Sequence, residues 1–117
     1  MLCKIINPAL ATTNGINTDH DKSGPGLDVA IVKQPKDSSV WVLDGIQYSY
    51  SGAGSAEGGL IVKDGDKEIF DIDLTDNRGG IELYIPSSPG KALEIRLKSG
   101  GTGMIGKLNT QCHLESA

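Results

Sequence analysis

Residues 59–74 read GLIVKDGDKEIFDIDL, two apolar arms rich in β-branched residues that meet at Asp64-Gly65. This dipeptide favours a tight hairpin turn because glycine accepts the positive φ angles that such turns require. The second arm alternates apolar residues with aspartates, in the order Phe70, Asp71, Ile72, Asp73 and Leu74. That period is typical of a strand with one face in a core and one in water. The stretch predicts an antiparallel hairpin with Phe70 and Ile72 buried.

The composition favours a single domain built from many short strands. The chain has 117 residues, enough for one hydrophobic core without disulfide or metal cross-links. It has 16 glycines and 4% aromatic residues, and the glycines stand between apolar runs. Glycines in that arrangement are turn signals rather than parts of a disordered tract.

Further alternating segments lie on both sides of the hairpin, at 27–32, 40–51, 81–85, 92–98 and 104–112. In the longest of them Gly45 separates two apolar runs of opposite parity, which predicts a β-bulge. No stretch has a helical period. Short, regularly spaced strands joined by Gly and Pro turns are typical of all-β folds. We predict an antiparallel, jelly-roll-like β-sandwich of about seven to eight strands over residues 27–117.

Residues 1–26 are mainly small and polar, and we expect them to form an extended N-terminal arm outside the sandwich. Their apolar residues are scattered, at Leu2, Ile5, Ile6, Leu10 and Ile16. Such anchors allow an extended segment to add to the sheet edge of a partner. A disordered terminus without a role explains them equally well. If the arm binds, deletion of residues before about Gly24 leaves a folded sandwich that no longer attaches to its partner.

Charge and hydropathy argue against two classes of partner. The formal net charge is −4, with both signs interspersed and no basic stripe of the kind that nucleic acid requires. No apolar run approaches the roughly 18 residues of a membrane helix. The N-terminal apolar stretch is short and interrupted by Pro8, unlike a signal peptide. We expect a protein made in the cytoplasm without a signal peptide, with neither nucleic acid nor membrane as partner.

Two cysteines, Cys3 and Cys112, lie near opposite ends of the chain. A bridge between them requires that the terminal strands are neighbours. Two free thiols are the favoured interpretation, because a cytosolic pool keeps thiols reduced.

Neither histidine belongs to a recognisable catalytic or metal-binding pattern. His20 lies among loop signals and His113 lies near the end of the chain, without triad or ligand spacing. The paired carboxylates Asp71 and Asp73 follow from alternation on an exposed strand face. We predict that the protein is not an enzyme and has no catalytic residues and no cofactor.

Residues 71–82 have part of the spacing of a calcium-binding EF-hand loop. Oxygen-bearing side chains occupy its positions one, three, five and twelve, namely Asp71, Asp73, Thr75 and Glu82. Position six, which needs glycine for a sharp turn, is Asp76, and no helical pattern flanks the segment. We therefore predict no metal site.

Five segments carry a resemblance to small β-sandwich proteins encoded among the virion genes of tailed bacteriophages. They read YSYS at 48–51, GGLIVKDG at 58–65, IFDIDL at 69–74, LEIRL at 93–97 and GGTGMIGKLN at 100–109. Together they cover roughly the last two thirds of the chain. Proteins of this kind resemble capsid decoration, or cement, proteins.

The resemblance implies a structural protein of the virion that stabilises a phage head by clamping neighbouring capsid subunits. Its partner would be the major capsid protein or another virion protein. Segment 40–51 has apolar residues of both parities, which predicts a homo-oligomer, and the resemblance favours a trimer. The alternative is a carbohydrate-binding module of a phage tail or fibre, with an aromatic platform formed by Trp41, Tyr48, Tyr50 and Tyr84.

Overall fold

The computed structural model describes residues 3–7 and 15–116, which form nine β-strands. These are β1 (Cys3–Ile6), β2 (Asn17–Lys22), β3 (Asp28–Lys33), β4 (Val40–Ser51), β5 (Gly58–Asp64), β6 (Lys67–Leu74), β7 (Arg78–Pro86), β8 (Leu93–Lys98) and β9 (Ile105–Glu115). These residues contain no helix, and so none that is long and apolar enough to cross a membrane.

The strands form two sheets that pack face to face. Sheet A has the strand order β1-β3-β8-β5-β6, and sheet B has the order β2-β9-β4-β7. Every pairing is antiparallel except that of β1 with β3. The prediction of an all-β sandwich is therefore confirmed, with nine strands instead of seven to eight.

The structure differs from the prediction in its first two strands. We predicted no strand before residue 27, yet β1 is an edge strand of sheet A and β2 an edge strand of sheet B. Leu2 and Leu10 of the predicted arm lie outside the described residues. The polar composition of β2 concealed it, because its alternation places charged rather than apolar side chains toward the opposite sheet.

One of those side chains forms an ion pair inside the sandwich. The Lys33 ammonium of sheet A lies 2.7 Å from the Asp19 carboxylate of sheet B, and 4.5 Å from the centroid of the Trp41 ring. The Lys33 side chain is 2% exposed. The pair therefore joins the two sheets where the apolar core ends.

A β-bulge in β4 aligns two groups of apolar residues on one face. The register of β4 with both of its neighbours shifts between Leu43 and Gly45, which confirms the bulge predicted there. The residues on either side of it join one core cluster, namely Trp41, Leu43, Ile46, Tyr48 and Tyr50. The bulge thus points the odd-numbered residues before it and the even-numbered residues after it toward the core. These side chains therefore need no second subunit to cover them.

The β5–β6 hairpin forms as predicted, with its turn displaced by one residue. Asp64 pairs with Lys67, so Gly65 and Asp66 make the turn, and Gly65 has the positive φ of 59°. The inward residues of β5 are fully buried, whereas Phe70 and Ile72 are only partly buried. They are less buried than predicted because β6 is the edge strand of sheet A.

Replacing Phe70 by alanine should lower the free energy of unfolding by about 2 kcal/mol. A fully buried phenylalanine would cost about 3–5 kcal/mol, and the open side of β6 reduces that loss. Urea denaturation measures it, with Ile69→Ala as the control, since Ile69 is 37% exposed. A greater loss for Ile69→Ala than for Phe70→Ala would show that the register is wrong.

Both cysteines are free. Cys112 is buried in the core, where desolvation raises the pKa of its thiol to about 12. Cys3 lies on β1 at the edge of sheet A and is half-buried. A thiol with so high a pKa is not a nucleophile at neutral pH, so Cys112 acts as a small apolar core residue.

Candidate functional site

The segment with EF-hand-like spacing has a structural role instead. Asp71 and Asp73 are exposed on β6. The side chain of Asn77 binds the backbone of the loop between β4 and β5. Its Oδ1 accepts a hydrogen bond from the Ala56 amide at 2.8 Å, and its Nδ2 donates to the Gly54 carbonyl at 3.1 Å. Within residues 3–7 and 15–116, no three His, Cys, Asp or Glu side chains are placed to hold a metal ion.

The four aromatic residues considered for a sugar platform do not form one. Trp41, Tyr48 and Tyr50 are buried in the core, and the indole NH of Trp41 donates to the Gln34 carbonyl. Tyr84 alone among the four is exposed, at 61%, on the outer face of sheet B. Of the four aromatic residues of the predicted sugar-binding platform, only Tyr84 is therefore accessible to a ligand.

Tyr84 belongs to a polar cluster that the sequence did not reveal. The His113 imidazole lies between two carboxylates, with Nδ1 2.7 Å from Asp44 and Nε2 2.7 Å from Glu115. The Tyr84 hydroxyl donates to Glu115 at 2.8 Å. The bulge at Gly45 brings Asp44 to this position, opposite a histidine 69 residues away in the sequence.

This geometry favours the imidazolium form of His113. Both ring nitrogens face acceptors, so both must carry a proton to complete the two hydrogen bonds. Contact with Asp44 and then with Glu115 raises the pKa of His113 above its usual value. The hydrogen bonds from His113 and Tyr84 lower the pKa of Glu115. A histidine held in this way is a fixed charge rather than a general base.

The cluster contains no nucleophile for the histidine to activate. Cys112 is adjacent in sequence but points into the core. Tyr84 donates to a carboxylate, which raises the pKa of its hydroxyl. The arrangement is therefore suited to binding and to fixing charge at this surface.

The cluster borders a groove on the outer face of sheet B. The groove has a volume of about 520 Å³, and its lining includes Asp44, Gln47, Glu82 and Gln111, with the exposed Ile16 at one side. The Gln111 amide donates to the Gln47 carbonyl oxygen at 2.8 Å. Amides and carboxylates thus supply the polar side chains that line this groove.

The opposite end of the same face is basic. Lys22 is directly opposite Lys107, Lys107 opposite Ser49, and Ser49 opposite Arg78. Residues that pair in this way share one face of the sheet, so three cations and one serine form a row across the four strands. A second cavity of about 340 Å³ lies beside it, lined by His20, Asp21, Lys22, Lys107 and Asn109.

We call Lys22, Lys107 and Arg78 the cationic row, and Asp44, Glu82 and Glu115 with His113 the acidic end. Between them lie neutral polar side chains, namely Thr18, Gln47, Asn109 and Gln111. The inward residues of β9 are buried, so this polar face is distinct from the core. The outer face of sheet B is therefore a polar surface with opposite charges at its two ends.

The His113 contacts should make stability depend on pH. The pKa of His113 is higher in the folded chain than in the unfolded chain, where it is about 6.5. The His113 contacts therefore make their full contribution to the free energy of unfolding below about pH 6.5, and that contribution is lost as the pH rises through the folded-state pKa. The stability difference between wild type and His113→Gln should be about 1 kcal/mol larger at about pH 6 than at about pH 9. Urea denaturation at both pH values measures it, and His20→Gln is the control. An equal stability difference at both pH values would contradict the ionic contacts of His113 with Asp44 and Glu115.

Comparisons with known proteins assign no family to the chain. No family model and no curated protein sequence matches it. A periplasmic inhibitor of g-type lysozyme from Aeromonas hydrophila, PliG, has a similar structure, with a TM-score of 0.47, 10% identity and 97% of each chain covered. The mitogen YPM from Yersinia pseudotuberculosis has a TM-score of 0.43 and 15% identity, covering 85% of this chain and 86% of its own. At these scores neither similarity indicates a function.

Proposed function

We propose that the protein is a non-enzymatic structural component of a tailed-bacteriophage virion, a decoration protein that stabilises the head by binding neighbouring capsid subunits. The observation that carries this proposal is the outer face of sheet B. This face spans four strands, carries mainly polar side chains and has opposite charges at its ends. Complementary charges of this kind set the register of a protein contact and select the partner.

The resemblance of residues 48–109 to small virion proteins supports the same function. His113 is hydrogen-bonded to a carboxylate at each ring nitrogen, which argues against a role for it as a general base. The acidic end also argues against a polyanion as partner, since it would repel nucleic acid. A folded protein of mixed charge is the partner that fits both ends.

Co-sedimentation with empty heads of the phage that encodes this chain tests the proposal. The wild-type protein should pellet with the heads and raise the temperature at which they rupture. Gln47→Arg places a bulky cation in the middle of the face and should abolish pelleting. Lys91→Glu, an exposed change in the loop before β8, is the matched control and should leave pelleting unchanged. Failure of the wild-type protein to bind heads would refute the proposal.

A second candidate function is glycan binding by a tail or fibre module. The groove lined by Asp44, Gln47, Glu82 and Gln111 favours it, because carboxylates and amides recognise sugar hydroxyls and Tyr84 is exposed nearby. A glycan array probed with the wild-type protein and with Gln111→Ala distinguishes the two functions. Specific glycan retention that Gln111→Ala removes, without binding to heads, would favour this candidate.

A further inference from the structure

We infer that the chain forms a dimer through the free edge of β7, which pairs antiparallel with β7 of a second copy and joins the two B sheets into one continuous sheet. The interface is the edge of sheet B, so the outer face of that sheet stays free for another partner. The pairing itself does not depend on the proposed function.

The backbone of β7 has hydrogen-bonding groups without a strand neighbour. β7 is the last strand of sheet B, with β4 on one side and no strand on the other among the described residues. The Tyr50 amide of β4 donates to the Asn77 carbonyl, just before β7 begins. The Ser87 amide donates to the Trp41 carbonyl of β4, just after β7 ends.

These two bonds show which backbone groups point to the free edge. Backbone groups alternate sides along an antiparallel strand, and residues 77 and 87 both face β4. The odd-numbered residues of β7 therefore face β4, and the even-numbered residues face outward. The residues that present both an amide and a carbonyl at the free edge are Arg78, Gly80, Glu82 and Tyr84.

The other three edge strands have features that discourage association through their edges. β1 has only four residues, β2 directs the carboxylates of Asp19 and Asp21 toward lysines of the opposite sheet, and β6 has charged side chains at half of its positions. β7 has nine residues, with a proline only at the last position. Its inward side chains Ile81, Leu83 and Ile85 are only partly buried. A strand added beside β7 covers more of this apolar surface.

The charges of β7 select one register for a second copy. Arg78 and Glu82 are its two charged residues, both are exposed, and neither has an ion-pair partner among the described residues. When two copies of β7 pair antiparallel about a two-fold axis through Gly80, Arg78 of each copy is directly opposite Glu82 of the other. An axis through Glu82 would instead set two carboxylates opposite each other, which is unfavourable.

The same register also satisfies the backbone. Residues 78, 80 and 82 all present their backbone groups at the free edge, and in this register they are opposite residues 82, 80 and 78 of the other copy. Each opposite pair exchanges two hydrogen bonds, so about six form across the axis. The two copies of Gly80 meet at the axis without side chains.

A second copy fits this edge better than a segment of another protein, because the charges and the backbone groups of β7 are both complementary to themselves. A self-complementary edge of this kind closes on two copies. We therefore expect a dimer instead of the trimer that the resemblance to virion proteins favours.

The pairing also orients the surface proposed to bind phage heads, a consequence that does rest on the proposed function. A two-fold axis perpendicular to sheet B keeps the outer faces of both copies on the same side. The dimer thus directs two such faces toward one surface. A protein that binds two neighbouring capsid subunits at once requires this arrangement.

Sedimentation equilibrium on the purified chain, without phage heads, tests the pairing. The wild-type protein at about 100 μM, a concentration suited to a small interface, should have the mass of a dimer. Gly80→Pro removes the amide at the axis from both copies and should weaken dimerisation about tenfold or more, because two backbone hydrogen bonds are lost. The variant should still fold, since that amide faces away from β4 and edge strands accept proline there.

Gly80→Ala is the matched control. It keeps the amide, and its Cβ would lie 3.6 Å from the nearest atom, an ordinary contact. This variant should therefore remain a dimer. A wild-type monomer or trimer at this concentration, or a folded Gly80→Pro variant that dimerises like wild type, would overturn the inference.

Charge exchange tests the register with variants that keep every backbone group. Arg78→Glu and Glu82→Arg should each weaken dimerisation, because each sets like charges opposite each other twice. An equimolar mixture of the two should form a heterodimer, and the double variant Arg78→Glu/Glu82→Arg should dimerise like wild type. Lys91→Glu is the control and should stay dimeric. Equal dimerisation of both single variants and wild type would refute the register. Binding to heads is scored separately, so this inference and the proposed function can each fail alone.

Discussion

Replacing Asp19 by alanine is expected to lower the free energy of unfolding by about 3–5 kcal/mol. Asp19 is the carboxylate partner of Lys33, whose side chain is 2% exposed between the two sheets. Without Asp19, the contact that the described residues still offer the Lys33 ammonium is the face of the Trp41 ring, 4.5 Å away. A cation–π contact of that kind contributes about 1–2 kcal/mol, less than the cost of desolvating an ammonium.

Urea denaturation followed by tryptophan fluorescence measures this loss, since Trp41 is the one tryptophan of the chain. Asp21→Ala is the matched control on the same strand. Its partner, Lys4, is 51% exposed and returns to water, so the loss should be about 1 kcal/mol or less. Lys33→Met combined with Asp19→Ala removes the buried charge and should recover most of the stability. A loss below about 1 kcal/mol for Asp19→Ala would mean that the pair contributes little.

The same ion pair changes the outcome expected for an N-terminal deletion. Removing residues up to Lys22 takes away β1 and β2, leaves Lys33 without a carboxylate and uncovers an edge of each sheet. We expect the shortened chain to be unfolded, instead of a folded sandwich that has lost only its attachment. Point variants on the outer face of sheet B are therefore the informative way to study binding.

The strands that the sequence predicted are those with apolar alternation. Segments from residue 27 onward place valine, isoleucine and leucine toward the core at every second position, and the bulge was predicted because parity changes at Gly45. Strand β2 alternates too, but between two polar sets. Its inward carboxylates are matched by lysines of β1 and β3, and only the tertiary structure shows that match.

The polar cluster around His113 could not be predicted from the sequence for a related reason. His113 and Glu115 are two residues apart on a strand, so their shared face was predictable. Asp44 is 69 residues from His113 in the chain and is brought to it by the bulge and by the β4–β9 register. Single-sequence patterns do not fix that register, because it depends on which strands become neighbours.

The glycines were also only partly understood from the sequence. As turn signals they marked the strand ends correctly, and Gly65 has the positive φ that its turn needs. Three others instead leave space for one aromatic ring. Gly58, Gly100 and Gly106 surround Tyr50, whose hydroxyl donates to the Lys98 carbonyl at 2.7 Å. Burial raises the pKa of that hydroxyl, so it stays protonated and keeps the bond.

Replacing Gly58 by alanine is expected to lower the free energy of unfolding by about 3 kcal/mol, at the upper end for overpacked cores. A Cβ atom at this position would overlap the hydroxyl and ring of Tyr50. The ring cannot move away, because the backbone of Gly100 and Gly106 lies close against its other sides. The approach is so close that a Cβ atom at Gly100 would lie 2.6 Å from the ring Cδ1, and one at Gly106 would lie 3.3 Å from Cε1. Either β5 moves away from β4 or Tyr50 gives up its bond to Lys98.

Thermal and urea denaturation of Gly58→Ala measure the effect, with Gly80→Ala as the matched control. The nearest atom to a Cβ at Gly80 is the Ile46 carbonyl oxygen at 3.6 Å, an ordinary contact, so that change should stay within about 0.5 kcal/mol. Tyr50→Leu in the Gly58→Ala background should cost less than the sum of the two single losses, because the smaller side chain relieves the overlap. Equal stability of Gly58→Ala and Gly80→Ala would show that Tyr50 packs elsewhere, and simple additivity in the double variant would show that the loss does not arise from this ring.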